Sequence, residues 1–380
     1  MQRAERLRLL ILTDTAILGP GGSERFLRNL LERLPPERYA IDLLQLAPEP
    51  APEQRVARLE NPAVALLHEP IDAIYGRRAL TAFAAIRRRV LRGDYDVVQS
   101  QHEKSDLISA ALPRRHVRKI SNRRDMGFQK SAKVRALFRH VNGRFDRIVA
   151  PTGSIIDALV AQENVERTHC RTIPNGVDMQ RFRPADADTR AALRRALGFD
   201  AGARLVGCVA SFTPVKRHVD LLAAFAQVRA RLPDAHLLLI GDGPLRADLE
   251  RQIAALDLGA AVHLLGARSE VERILPALDA FVLASSTEGL SNAILEAQAC
   301  GLAVAATRVG GNPDLVREND SGLLVPALAP DALAQALIAL LEDRARAAEF
   351  GRRARARVEA QHSLEAMAAA YETVYRELAA

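Results

Sequence analysis

The chain has 380 residues, 48% hydrophobic, 26% charged and 4% aromatic, with no Trp and a formal net charge of +7. That composition excludes a disordered or fibrous chain, and the length suits two domains, each large enough to bury its own core. No stretch approaches the roughly 18 consecutive apolar residues of a spanning helix, and Met1 to Arg8 lacks the apolar region and cleavage site of a secretory signal, so a cytoplasmic location is expected.

Strand-length apolar runs alternate with segments of helical period. In the first half strands are expected near 7–14 (LRLLILTD), 39–46, 63–68, 95–100, 117–121, 145–150 and 170–173, and helices near 23–34, 77–92, 104–112, 131–140 and 154–163. The rhythm then restarts, with strands near 203–210 (ARLVGCVA), 235–241, 261–265, 280–285, 302–307 and 322–325 and helices near 218–231, 244–256, 269–275, 292–300 and 330–342. Val/Ile/Leu-rich strands separated by helices indicate an α/β protein with parallel sheets covered on both faces. The expected division is a first domain over 1–176, a polar linker over 177–186, a second domain over 187–362, and a C-terminal helix over 363–380. In that helix Leu364, Met367, Tyr371, Val374 and Leu378 form an apolar stripe, and it is expected to pack back on the first domain. The Arg- and Ala-rich stretch 344–357 reads as a solvated helix.

Charge is uneven. Residues 1–184 carry 32 Lys and Arg against 21 Asp and Glu, whereas 185–380 carry 21 against 25. A basic first half suggests an anionic partner. Cys170, Cys208 and Cys300 show no metal-ligand spacing and read as small hydrophobes in a reducing compartment.

Three loops carry chemistry. Leu18-Gly-Pro-Gly-Gly-Ser-Glu24 joins the first strand to the first helix, at the strand end where open α/β sheets bind ligands. Gly21 and Gly22 would let backbone approach an anion at the helix start; alternatively Ser23 is simply an N-cap. Ala210 to His218 (ASFTPVKRH) follows the first strand of the second half. Lys216 and Arg217 there oppose the helix dipole, a conflict that a phosphate would remove; the other reading is two solvated charges. Glu288-Gly-Leu-Ser-Asn-Ala-Ile-Leu-Glu296 follows the strand AFVLASS. Its carboxylates suit vicinal hydroxyls, and the amides of Leu290, Ser291 and Asn292 suit phosphate or sugar oxygens. Glu296 lies among apolar neighbours and requires a partner.

These elements, with Gly241-Asp-Gly-Pro-Leu245 and Gly310-Gly311, resemble family 4 (GT4) of the retaining glycosyltransferases, which have the GT-B fold: two Rossmann-like domains facing a central cleft. The resemblance runs nearly the whole length and is densest from Ser286 to Pro326. Ile173-Pro-Asn-Gly-Val-Asp178 matches the family's inter-domain segment, and Ser121-Asn-Arg-Arg-Asp-Met-Gly127 a loop of some members. The resemblance implies that Glu296 binds the ribose hydroxyls, Glu288 the donor-sugar hydroxyls and Lys216 the diphosphate. Gly21 and Gly22 would line the phosphate side, with Gly241, Gly243 and Gly289 to Asn292 in the donor site and Arg217 as a second phosphate contact. Acceptor contacts are expected from Arg123, Arg124 and Asp125. Two positions depart from the family: Ser211 stands where many members have Arg, and Asp96-Val-Val-Gln-Ser-Gln-His102 replaces a D-V-V-H-x-H pattern. Gln101 and His102 are both candidates for the catalytic position, though side-chain alternation lets only one face inward unless the strand has ended.

The implied chemistry is retaining transfer from a nucleotide-sugar, a UDP-sugar first and GDP-mannose second, to a glycan or lipid-linked acceptor in polysaccharide, lipopolysaccharide or glycolipid synthesis. The leaving diphosphate would be stabilised by Lys216 and helix amides. No Asp-x-Asp metal motif lies in a suitable loop, so a divalent cation is not required by the sequence, and no cofactor is expected. The alternatives are a nucleotide-sugar epimerase of the same shape and a basic nucleic-acid-binding protein. The Glu-x7-Glu context argues against the first, and the few aromatics and lack of a recognisable module against the second; nucleic acid is not an expected partner, whereas an anionic membrane surface is.

Overall fold

The computed structural model describes residues 6–19, 21–48, 58–71, 76–114, 117–124 and 131–380. They form two compact units, one of Met1–Gly176 with Leu364–Ala380 and one of Val177–Ser363.

The first unit holds strands β1 (Leu7–Thr13), β2 (Tyr39–Gln45), β3 (Val64–His68), β4 (Val97–Ser100), β5 (Arg118–Asn122), β6 (Arg147–Ala150) and β7 (Cys170–Thr172). They form one seven-stranded sheet in the order β3-β2-β1-β4-β5-β6-β7, and every pairing is parallel. Helices α1 (Gly22–Leu31), α2 (Arg77–Arg92), α3 (Glu103–Ala111), α4 (Ala132–Val141) and α5 (Gly153–Glu163) connect them. The order reverses between β1 and β4, so the loops after these two strands open on the crevice where such sheets take ligands. The C-terminal helix (Leu364–Ala379) closes one face. Its Met367, Tyr371, Val374 and Tyr375 are buried against Phe26, Leu30 and Tyr39, and the Tyr375 hydroxyl donates to Gln99 Oε1 at 2.8 Å.

The second unit begins with α6 (Ala187–Ala196), followed by β8 (Arg204–Val209), α7 (His218–Arg231), β9 (Ala235–Ile240), α8 (Arg246–Ala255), β10 (Val262–Gly266), β11 (Ala280–Leu283), α9 (Asn292–Ala299), β12 (Ala303–Thr307), α10 (Asn312–Leu315), β13 (Gly322–Val325), α11 (Pro330–Glu342) and α12 (Arg344–Gln361). The six strands run parallel in the order β10-β9-β8-β11-β12-β13, with the reversal between β8 and β11. Residues 177–186, expected as a linker, fall within this unit, and Val177 N–H donates to the His362 carbonyl at 2.8 Å.

Two local expectations are corrected. The helix expected near 269–275 is two 3-10 turns, Val271–Arg273 and Leu275–Ala277, because Pro276 has no N–H to continue a helical ladder. The sequence reading also passed over α6, whose start is fixed by Asp186 accepting from Thr189 N–H at 2.8 Å. Cys208 and Cys300 are buried, and burial pushes both thiols up to about 12.

Candidate functional site

In the first unit the glycine loop and the end of β4 come together. Gly21, in extended conformation, precedes α1 and makes no side-chain cap. Ser23 is not an N-cap: it lies inside α1, and its hydroxyl is 2.8 Å from His102 Nε2. β4 ends at Ser100, so strand alternation does not govern how Gln101 and His102 face. Gln101 turns inward, 2% exposed, and accepts from Asn122 Nδ2 at 3.0 Å. His102 starts α3 and faces the glycine loop. Asp14, which the sequence reading did not single out, accepts from the N–H groups of Lys104 (2.8 Å) and Ser105 (2.7 Å), and so caps α3 from the end of β1. Burial lowers the His102 pKa; Asp14 and Glu24 oppose this, and Arg124 adds to it. The net effect favours the uncharged imidazole, and its Nδ1 has no partner among the described residues.

Arg123, expected at the acceptor, is instead enclosed. At 5% exposure its guanidinium pairs with Asp106 (2.9 Å) and Glu163 (3.1 Å), bonds Asn142 (2.9 Å), and stacks 4.3 Å from the Phe138 ring. A charge this deep requires such partners, and they leave it none to give a ligand. Arg124 stacks 3.4 Å from the Phe26 ring and bonds Asn175; burial lowers it to about 10. Asp125 lies outside the described residues.

In the second unit, loops from four strand ends are stitched together. Lys216, after β8, places Nζ 2.6 Å from Glu288 Oε1, and the Ser285 hydroxyl donates to the same oxygen at 2.6 Å. Ser286 N–H donates to the Val215 carbonyl (2.8 Å), and Gly311 N–H to the Gly289 carbonyl (3.0 Å). Gly310, at φ +48, lies so near the Glu288 backbone that no Cβ fits. Gly241, at φ +151, and Gly243 press equally close to the backbone of Ala210 and Phe212, and Phe212 N–H donates to the Asp242 carbonyl at 2.9 Å. Ser291 caps α9 through Ile294 N–H, which leaves Leu290 to Asn292 around the helix start. Glu296, one turn into α9, is 4% exposed.

Arg217 is drawn away from the role expected of it. It forms a bidentate pair with Asp220, Nε to Oδ2 at 2.7 Å and Nη2 to Oδ1 at 2.8 Å. Ser211, at the position where many members have Arg, is exposed, with its hydroxyl 3.4 Å from that of Thr213. His218 was missed by sequence reasoning. It is 1% exposed, edge-on to Phe212 at 4.9 Å, and without a partner at either nitrogen. Burial, with Lys216 adding to it, lowers its pKa to about 4. Among the described residues no group of three or more His, Cys, Asp or Glu side chains converges as a metal site, and no helix is long and apolar enough to cross a membrane.

Two parallel-sheet units with ligand loops at their reversal points define a protein of the GT-B class. Its solved counterparts include Anabaena HepE in complex with UDP (TM-score 0.85, 21% identity, 98% of this chain and 100% of that one) and sucrose-phosphate synthase from Thermosynechococcus elongatus (TM-score 0.84, 22% identity, 98% and 99%). Residues 20–181 match the family described as Glycosyltransferase Family 4, and residues 189–357 that described as Glycosyl transferases group 1. A GDP-mannose-dependent alpha-(1-6)-phosphatidylinositol monomannoside mannosyltransferase of Mycolicibacterium smegmatis is 31% identical over 321 residues, which is 80% of this chain and 75% of that protein. A GDP-mannose-dependent mannosyltransferase of Corynebacterium glutamicum, acting on the monoacylated form, is 38% identical over 204 residues, 51% of this chain and 53% of that protein. Other curated relatives, such as the N-acetyl-alpha-D-glucosaminyl L-malate synthase of Bacillus anthracis, are likewise spanned over about half their length, 48% in that case. The chain belongs to family 4 of the glycosyltransferases.

Proposed function

We propose that the protein transfers a sugar from a nucleotide-sugar to a lipid-linked or glycan acceptor, with retention of anomeric configuration and without a metal. The carrying observation is the convergence of Lys216, Glu288 and the α9 N-terminus at the reversal point of one sheet. A diphosphate there meets a fixed cation and the backbone amides of the α9 N-terminus, which stabilise the charge that develops as it departs. Glu288 exchanges Lys216 for sugar hydroxyls, Glu296 accepts from the ribose, and the leaving phosphate oxygen takes the acceptor proton. The Gly241 and Gly243 backbone sets the floor under the nucleotide. In the first unit, Gly21 and Gly22 keep the expected phosphate-side role, and His102 and Arg124 form the surface that receives the acceptor.

GDP-mannose moves ahead of a UDP-sugar as the donor, because the two mannosyltransferases to which this chain is similar are named as dependent on it. Their lipid acceptors also support work at an anionic membrane surface, as the basic first half does. The test is a thermal-shift panel of GDP-, UDP- and ADP-sugars, followed by NMR of the product. Stabilisation by one donor, a retained anomer and turnover in EDTA are expected; an inverted anomer or an absolute metal requirement would overturn those parts of the reading.

A further inference from the structure

The chain enters α7 through a 3-10 turn, Pro214–Lys216, in which Lys216 N–H donates to the Thr213 carbonyl (3.1 Å) and Arg217 N–H to the Pro214 carbonyl (3.3 Å). Arg217 then adopts φ 51, ψ 40. This left-handed conformation crowds the Cβ of an L-residue against the neighbouring carbonyl, and Gly, Asn and Asp tolerate it best. Three of the other non-glycine residues with positive φ are Asn164, Asp257 and Asn319; Arg217 has no such excuse of residue type. What it has is Asp220, the third residue of α7, whose two oxygens take both arms of its guanidinium fork at 2.7 and 2.8 Å. A planar fork held at two points fixes the side chain and restrains the backbone that carries it. The residues on either side diverge: Lys216 reaches Glu288 at 2.6 Å, and His218 turns into the core against Phe212.

We propose that Asp220 is a positioning residue for Lys216: by clamping Arg217 in the left-handed conformation, it sets the direction in which the lysine leaves the chain. The inference rests on the reading of Lys216 as the diphosphate contact. It assigns the Arg217 guanidinium to the clamp and not to the phosphate.

Asp220→Ala removes the clamp, and Arg217→Gly in the same chain removes the need for it, since glycine adopts this conformation freely. Calorimetry uses GDP and UDP as probes. Asp220→Ala is expected to bind about tenfold more weakly than the wild type, with the donor KM rising more than kcat falls, and the double variant to recover to within about threefold. Both variants lose an acidic residue from the first turn of α7, and glycine at 217 relieves only the backbone strain, so affinity is expected to recover further than melting temperature. A merely structural Asp220 would move affinity and melting temperature in step. The proposal is overturned if Asp220→Ala binds like the wild type or if the double variant is no better than the single one. Arg217→Gly alone matching the loss of Lys216→Ala would also overturn it, by making the guanidinium a ligand. A wild-type chain that binds neither probe would sink the reading of Lys216 itself, and the clamp with it.

Discussion

Lys216 Nζ and Ser285 Oγ both lie 2.6 Å from the same carboxylate oxygen, Oε1 of Glu288. The lysine side chain is 22% exposed and the glutamate's 9%, so the ion pair sits at the wall of the site and not on open surface. On the proposed function its members address different parts of the donor, and their variants should separate. Lys216→Ala should weaken nucleoside diphosphate binding by tenfold to about a hundredfold, the worth of a hydrogen bond to a charged group. Glu288→Gln should leave nucleoside diphosphate affinity within about threefold while sugar transfer falls by a similar factor. Calorimetry with GDP and UDP beside initial rates checks this; equal loss of nucleotide affinity in both variants would refute the division.

Glu296 is the expected ribose acceptor. Glu296→Gln should weaken nucleotide binding by about 1.5–3 kcal/mol. The sharper measurement compares ribo- and 2′-deoxynucleotides. The wild type should discriminate between them and the variant should not. Undiminished discrimination in a folded variant removes Glu296 from the site.

His218 ties acid stability to the same loop. Its folded pKa of about 4 lies below the ordinary value of 6.5, so the folded second unit requires the neutral ring. The unfolded chain binds the proton first. Stability is therefore intact above about pH 6.5 and falls by about 1.4 kcal/mol per unit as the pH drops toward 4. His218→Met removes the titration and should flatten this slope. Melting curves of both proteins between pH 7 and pH 4 give the comparison, and parallel slopes would show that His218 does not govern acid unfolding.

The alternating β/α rhythm was legible because buried parallel strands are continuous apolar runs. α6 escaped because Leu193 is the one large apolar residue of ADTRAALRRA, and its one buried member is Arg194, which pairs with Asp279 at 2.6 Å. Glu288 and Glu296 stood out as candidates because their spacing along one loop and helix is local. His102 could not be separated from Gln101, since that depended on where β4 ends. Arg123, Arg124 and Arg217 look alike as letters. One is enclosed among carboxylates, one lies against Phe26, and one is turned onto Asp220. Asp14 gave no signal because its partners, Lys104 and Ser105, are distant in the chain, and His218 because its environment is defined by burial; Ser285 lies three residues from its partner Glu288 but is one serine among many.

The first unit should bind anionic vesicles through α2. The buried side of this helix is Ala79, Ala82, Ile86 and Val90. On one flank of the helix, aligned with each other at helical spacing, stand Leu80, 69% exposed, and Leu91, 48% exposed. Arg77, Arg87, Arg88 and Arg92 are exposed around these leucines. Arg89 differs, since it pairs with Asp42 at 3.4 Å beside an open groove also lined by Arg8, Arg88 and Arg92. Two exposed leucines ringed by arginines suit a lipid surface, where each basic residue contributes about 1 kcal/mol and the apolar side chains enter the headgroup boundary. Sedimentation with phosphatidylglycerol-containing vesicles should show binding that fades with salt, because the Debye length shrinks from about 10 Å at 0.1 M to about 3 Å at 1 M. Phosphatidylcholine vesicles should bind far less. Replacing Arg87, Arg88 and Arg92 with Ser should weaken binding by more than tenfold while nucleotide affinity holds, whereas Arg89→Ser should have the smaller effect of losing one shared charge. If the wild-type chain stays in the supernatant with anionic vesicles at low salt, the acceptor is reached from solution and the exposed leucines of α2 have another use.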